Sequence, residues 1–85
     1  MQEKTYPFER IRNLRIDNDL TQEEIATVLH VKQNTYSQYE SGTLFYPLDV
    51  VIKLAEYYNT SVDYLVGLTD ETSPYPRAKK HAGVL

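Results

Sequence analysis

Eighty-five residues with 41% hydrophobic side chains suffice for one small globular domain and argue against a chain that is disordered throughout. The absence of cysteine excludes disulfides and thiolate metal sites, and no apolar run reaches the length of a membrane span, so we expect a cytoplasmic protein. The net charge of −3 is unevenly spread, because residues 1–15 and 72–85 are basic whereas residues 16–70 hold nine acids and two lysines. Any nucleic-acid binding must therefore depend on locally placed charges.

The N-terminal half predicts three helices separated by short turns. They are a first helix carrying Phe8, Ile11 and Leu14 at helical spacing, a second over about 21–29 and a third over about 32–41. Thr21 and Glu24 have the spacing of a capping box, in which each side chain bonds the backbone N–H of the other residue. Gly42 is a typical C-terminal stop for the third helix.

The C-terminal half predicts two more helices. The fourth starts at Pro47 and the short fifth is capped by Ser61, with inward side chains predicted at Leu48, Val51, Ile52, Leu54, Ala55 and Tyr58 and then at Val62, Leu65 and Leu68. Strand-like alternation is absent, so the sequence predicts an all-α domain over residues 6–68. Residues 1–5 are expected to be a flexible N-terminus and residues 69–85 a flexible basic tail with Arg77, Lys79 and Lys80.

The third helix has two different faces. On a helical wheel its uncharged polar side chains fall within roughly 140° of each other, and the two tyrosines fall on the opposite side. The polar set is Gln33, Asn34, Ser37 and Gln38. Side-chain amides match the paired donor and acceptor of adenine in the major groove, although an ordinary polar surface explains the wheel equally well.

The surrounding residues favour a helix that reads bases in the major groove over an ordinary polar surface. A capped short helix, a three-residue turn and a second short helix follow one another, as in a helix-turn-helix. The order of these elements resembles the Cro and phage-repressor type of helix-turn-helix family, also called the xenobiotic response element family. The residues that carry the resemblance are 20–26, 29–31, 35–42, 52–58 and 61–68. It covers about residues 8–68 and implies a compact five-helix, lambda-repressor-like domain that binds double-stranded DNA.

The resemblance also implies roles for individual residues. Gln33, Asn34, Ser37 and Gln38 match positions that face base edges, whereas Gln22, Lys32, Ser41 and Thr43 match or adjoin positions that meet the phosphate backbone. Arg15 and Glu40 match a structural ion pair between the first and third helices. No cofactor or metal is implied.

The chain departs from the family pattern at three places. His30 replaces the usual glycine of the turn, and Lys32 replaces the usual Ser or Thr cap of the third helix. The following loop, residues 43–46, lacks the usual basic residues, which predicts weak non-specific binding and a shallow salt dependence.

Large apolar side chains in that loop and on the next helices suggest a homodimer surface. The predicted contacts are Phe45, Tyr46, Val50, Tyr57 and Tyr64. The alternative is that these side chains fold back onto their own core.

Three function classes follow from these observations. The first class is a sequence-specific transcriptional regulator, and more narrowly a repressor, which agrees best with a third helix that faces base edges. An antitoxin-like protein-interaction module with secondary DNA binding is the alternative, favoured by the acidic middle and the apolar loop. An enzyme is not expected, because the two histidines lie far apart and no carboxylate pair has a plausible catalytic setting.

Overall fold

The computed structural model describes residues 8–76, which form five α-helices and no strand. The helices are α1 (Glu9–Asp17), α2 (Gln22–Leu29), α3 (Gln33–Ser41), α4 (Leu48–Tyr57) and α5 (Val62–Leu65). The predicted all-α, five-helix fold is confirmed. The predicted flexible N-terminus and the tail residues Arg77, Lys79 and Lys80 lie outside the described residues.

Several helix ends are fixed by the residues that the sequence singled out. Thr21 and Glu24 form the predicted capping box, with a distance of 3.0 Å from the Glu24 backbone nitrogen to Thr21 Oγ1 and 2.8 Å for the reciprocal bond. Ser61 Oγ accepts a hydrogen bond from the Tyr64 backbone at 3.0 Å and so caps α5. His30 and Gly42 end α2 and α3 in the left-handed conformation.

One hydrophobic core joins the helices. It contains a fully buried or nearly fully buried residue from every one of them, among them Ile11, Ile25, Leu29, Tyr36, Leu54 and Leu65. Ala26 is buried on α2, which contacts α3, and α1 contacts α3 and α5. This packing holds α3 with one side against the core and the other toward solvent.

The inward face of α4 differs from the prediction. Val50, Val51, Leu54 and Ala55 are buried, whereas Leu48 and Ile52 are exposed. The helix is apolar over most of its circumference, so helical spacing alone does not determine which arc faces the core. Leu68, also predicted to point inward, is 77% exposed because α5 ends at Leu65.

The stretch that follows α5 contacts the helices although it has no helix or strand itself. Arg10 of α1 donates to the Thr69 carbonyl oxygen, forms an ion pair with Asp70 and lies 4.3 Å from the centre of the Tyr64 ring. Thr60 Oγ1 donates to the Thr72 carbonyl oxygen at 2.6 Å. Residues 69–76 are thus connected to α1 and to the α4–α5 region, and the predicted flexibility of the tail stays a prediction.

No helix within residues 8–76 combines the length and the hydrophobicity required to cross a bilayer.

Candidate nucleic-acid interface

The connection between α2 and α3 is a tight turn. His30 has φ 60°, and its backbone N–H bonds the Thr27 carbonyl oxygen at 3.1 Å. The next backbone N–H, that of Val31, bonds the Ala26 carbonyl oxygen at 3.0 Å. After Lys32 the chain re-enters a helix at Gln33, so the turn fixes α3 relative to α2.

The two faces of α3 are as the wheel predicted. Tyr36, Tyr39 and Glu40 are buried. Of the four predicted base-contacting residues, Gln33 and Asn34 are exposed, and Ser37 and Gln38 are partly exposed. The structure therefore brings an uncharged amide and hydroxyl surface together on one side of α3, opposite the core.

A shallow cleft lies beside this surface, where α1, the start of α2 and α3 meet. Its lining residues are Arg12, Gln22, Ser37, Glu40 and Ser41. Arg12 was missing from the predicted contacts. Its position one residue after the buried Ile11 gave little indication that it faces α3, because this juxtaposition depends on how the helices pack.

The predicted ion pair between Arg15 and Glu40 is present. Arg15 Nε lies 2.7 Å from Glu40 Oε2, and Nη2 lies 3.1 Å from Oε1, which is a bidentate arrangement. Arg15 also donates to the Leu20 carbonyl oxygen at 2.8 Å. The hydrogen bonds that Arg15 donates to the Glu40 carboxylate outweigh burial and raise the pKa of Arg15. The pair joins α1 to α3 and to the start of the helix-turn-helix.

Two more side chains bond the same carboxylate. Tyr36 Oη donates to Glu40 Oε2 at 2.6 Å, and Gln22 Nε2 donates to Oε1 at 3.1 Å. Burial alone would raise the pKa of Glu40, but the hydrogen bonds to its carboxylate outweigh burial and lower that pKa. Glu40 therefore stays charged and holds Gln22 in place beside α3.

The remaining predicted phosphate contacts lie at the two ends of α3. Lys32 is the exposed N-cap residue and makes no side-chain capping bond, as the loss of the usual Ser or Thr predicts. Ser41 Oγ and Thr43 Oγ1 lie 3.0 Å apart at the other end, where both residues are exposed.

The predicted dimer surface is wrong at two of its five residues. Tyr46 is buried between Phe8 and Tyr39, with ring centres 5.8 and 5.2 Å away, and Val50 is part of the core. Tyr64 is partly buried beneath Arg10. Phe45 and Tyr57 are exposed, at 93% and 46%.

In the part of the chain that the structure describes, no group of three or more histidine, cysteine or acidic side chains is arranged to hold a metal ion.

A family model described as helix-turn-helix matches residues 11–65, which include all five helices except the first two residues of α1. The chain belongs to the Cro/C1-type helix-turn-helix family. The resemblance seen in the sequence is therefore confirmed.

Relatives in this family are named as transcriptional regulators. The chain is 46% identical over 57 residues to the cryptic phage CTXphi transcriptional repressor RstR of Vibrio cholerae, covering 67% of this chain and 51% of that protein. It is 39% identical over 66 residues to the uncharacterized HTH-type transcriptional regulator YobD of Bacillus subtilis, covering 78% and 59%. A crystal structure of a transcriptional regulator from Listeria innocua superposes with a TM-score of 0.69 at 31% identity, covering 81% of this chain and 65% of that one.

The chain spans about half the length of the curated relatives that it matches. The part of the relatives that this chain matches is the helix-turn-helix domain, which contains α3.

Proposed function

We propose that this chain is a sequence-specific DNA-binding transcriptional regulator, and more narrowly a repressor, that reads the major groove with α3. The observation that carries the proposal is the uncharged face of α3. Gln33, Asn34, Ser37 and Gln38 share that face, while Tyr36 and Tyr39 anchor the opposite face in the core. The relative named as a phage repressor supports the narrower role.

Direct readout by this face follows from the chemistry of its side chains. The amide of Gln33, Asn34 or Gln38 can donate to one edge atom of adenine and accept from another, and Ser37 can bond several bases. Each well-formed bidentate contact contributes about 1–3 kcal/mol of discrimination against a wrong base. Since this face has no charge of its own, it distinguishes bases by hydrogen-bond pattern.

The cleft beside α3 supplies the phosphate contacts. Gln22 Nε2 uses one hydrogen for Glu40, and its second hydrogen remains for a phosphate oxygen at the N-terminus of α2, where backbone N–H groups also favour an anion. Arg12 lines the same cleft and adds a positive charge. At the ends of α3, Lys32 and the hydroxyls of Ser41 and Thr43 complete the backbone contacts.

The working form is a cytoplasmic homodimer on double-stranded DNA. Two-fold pairing would place two copies of α3 in successive major grooves, about 34 Å apart, and would double the number of base contacts. A repressor of this kind acts by occupying its operator.

An antitoxin-like protein-interaction module with secondary DNA binding is the second candidate. It is favoured by the 93% exposure of Phe45 and by the acidic middle of the sequence. A stable complex with another protein and no enrichment of any DNA site would support this candidate.

Selection from random duplexes tests the proposal. We expect enrichment of a defined site, and Gln33→Ala or Gln38→Ala should each weaken binding to it by about 1–3 kcal/mol and relax preference at particular base pairs. Asn13→Ala is the matched control, because Asn13 is an exposed amide on α1 and its helix position is opposite the buried Ile11. A uniform loss across all sequences would assign the two glutamines to the DNA backbone, and failure to enrich any site would contradict the proposal.

A further inference from the structure

The chain that follows α5 is held against the helices by an arginine of α1. We call residues 69–76 the C-terminal strap. The Arg10 guanidinium donates to the Thr69 carbonyl oxygen and forms an ion pair with Asp70. It also donates to the Tyr64 carbonyl oxygen at 3.0 Å and lies 4.3 Å from the centre of the Tyr64 ring. One side chain thus joins α1, the end of α5 and the start of the strap.

Two further hydrogen bonds hold the rest of the strap. Thr60 Oγ1 donates to the Thr72 carbonyl oxygen at 2.6 Å, and Tyr75 Oη donates to Asp63 Oδ2 at 2.7 Å. Most side chains of the strap are exposed, so polar contacts and not apolar burial hold it in place. A segment held in this way opens at a lower free energy than the core does. The strap is therefore an element that the fold docks but does not bury.

The docked strap and the cleft beside α3 lie on opposite sides of α1. Arg10 and Arg12 are two residues apart, so at about 100° per residue they project about 160° apart around the helix. Arg10 contacts the strap, whereas Arg12 lines the cleft. A helix with its side chains is about 10–12 Å across, so the width of α1 separates the docked strap from the proposed phosphate contacts.

Three cations follow the strap in the sequence, at Arg77, Lys79 and Lys80. We call them the tail cations, and we propose that the docked strap is an autoinhibitory contact that keeps them away from DNA, an inference that rests on the proposed function. In the docked state the chain leaves the strap at Pro76, one residue after the bond between Tyr75 and Asp63. In the released state it is tethered at Leu68, and residues 69–76 add up to about 26–29 Å of reach. That length is more than twice the width of α1, so release brings the cleft side of α1 within reach of the tail cations.

The charges around the strap favour the docked state in the absence of DNA. Asp63, Asp70 and Glu71 lie on the strap or at its contacts, close to the point where the basic segment begins. These acids attract the tail cations, and DNA phosphates must compete with them. A ligand shifts an equilibrium only by its different affinity for the two states, and extra phosphate contacts give DNA a higher affinity for the released state. The strap therefore sets how much non-specific attraction adds to binding by α3.

Backbone ¹⁵N relaxation of the full chain without DNA tests the docked state. Residues 69–76 of the wild type should be as rigid on the nanosecond timescale as α5. The triple variant Thr60→Val, Asp70→Asn and Tyr75→Phe, which we call the release variant, should make the strap mobile and leave the helices unchanged. Glu71→Gln is the charge-matched control, because Glu71 bonds only within the strap. A strap that is mobile in the wild type, or that stays rigid in the release variant, would overturn the inference.

Fluorescence anisotropy with a selected duplex tests the effect of release on DNA binding. In a dimer, each tail cation that reaches a phosphate steepens the slope of log affinity against log salt concentration by about 2. The release variant should therefore be steeper than Glu71→Gln by about 2–5. Deleting residues 77–85 should restore the shallower slope in the release variant and leave the wild-type slope unchanged. Equal slopes for the release variant and Glu71→Gln, or a wild-type slope that the deletion makes shallower, would overturn the inference.

The same comparison on an unselected duplex separates this inference from the proposed function. Contacts of the tail cations with phosphates are independent of base sequence, so the difference in slope should appear on that duplex as well. Failure to enrich any site in random-duplex selection would contradict the proposed function, whereas the slopes on the unselected duplex would still decide the role of the strap. An enriched site with no difference in slope on either duplex would contradict the strap inference alone.

Discussion

His30 shows how one residue sets the turn between α2 and α3. Its φ of 60° lies in the left-handed region, which costs a residue with a β-carbon about 1–2 kcal/mol. We expect His30→Gly to raise the free energy of unfolding by about 0.5–1 kcal/mol, because glycine adopts this conformation without strain but loses more entropy on folding. Urea denaturation would measure the change.

The contrasting variant is His30→Ala, which keeps the β-carbon and removes the imidazole. It should not stabilise the protein. If alanine and glycine raised stability equally, the imidazole and not the backbone conformation would be the source of strain.

Residue-level predictions from the sequence were good where local chemistry decides the outcome. The turn at His30, the box between Thr21 and Glu24 and the charge pair of Glu40 with Arg15 are all present. Arg12 was missed, since its place in the cleft depends on the angle at which α1 meets α3 and not on any local pattern.

At the scale of whole helices, Glu40 joins α1, α2 and α3 through four hydrogen bonds to its carboxylate. Glu40→Gln should lower the free energy of unfolding by about 3 kcal/mol, because the partly buried Arg15 would lose its counter-charge. Thermal or urea denaturation at neutral pH would measure this loss.

Acid provides a second measurement on the same variant. The folded-state pKa of Glu40 is below its ordinary value of 4.5, so its contribution to stability is complete above pH 4.5 and is lost as the pH falls through the folded-state value. Wild type should lose stability below about pH 4.5, and Glu40→Gln should lose less over the same range. Parallel pH profiles for the two proteins would contradict this role of the carboxylate.

The buried face of α4 is the part of the fold that could not be predicted from the sequence. The capped, amphipathic α2 and the two-faced α3 each had one plausible inward face. In α4, Leu48, Val50, Val51 and Ile52 offer several apolar arcs, and contact with α2 and α5 selects the arc that contains Val50. That selection reversed the expected positions of Leu48 and Val50, and it changed the predicted dimer surface accordingly.

For the whole molecule, the distribution of charge determines how DNA binding should respond to salt. Arg12 and Lys32 are the cations that the structure places at the cleft and at the start of α3. The middle of the chain is otherwise acidic, so electrostatic attraction to the phosphate backbone should be small.

A dimer that contacts phosphates with two cations per copy displaces about four counterions, which predicts a slope of about −4 for the logarithm of affinity against the logarithm of salt concentration. Fluorescence anisotropy with a selected duplex at several salt concentrations would measure it. Lys32→Ala or Arg12→Ala should each make the slope shallower by about 2, since each removes two contacts from the dimer. A wild-type slope near about −10 would contradict the assignment and require additional cations, for which Arg77, Lys79 and Lys80 are the available candidates in the sequence. If the slope is shallow as expected, affinity must come mainly from hydrogen bonds to bases and from pairing of two copies, so Gln33→Ala and Gln38→Ala should each reduce operator binding more than either cation substitution does.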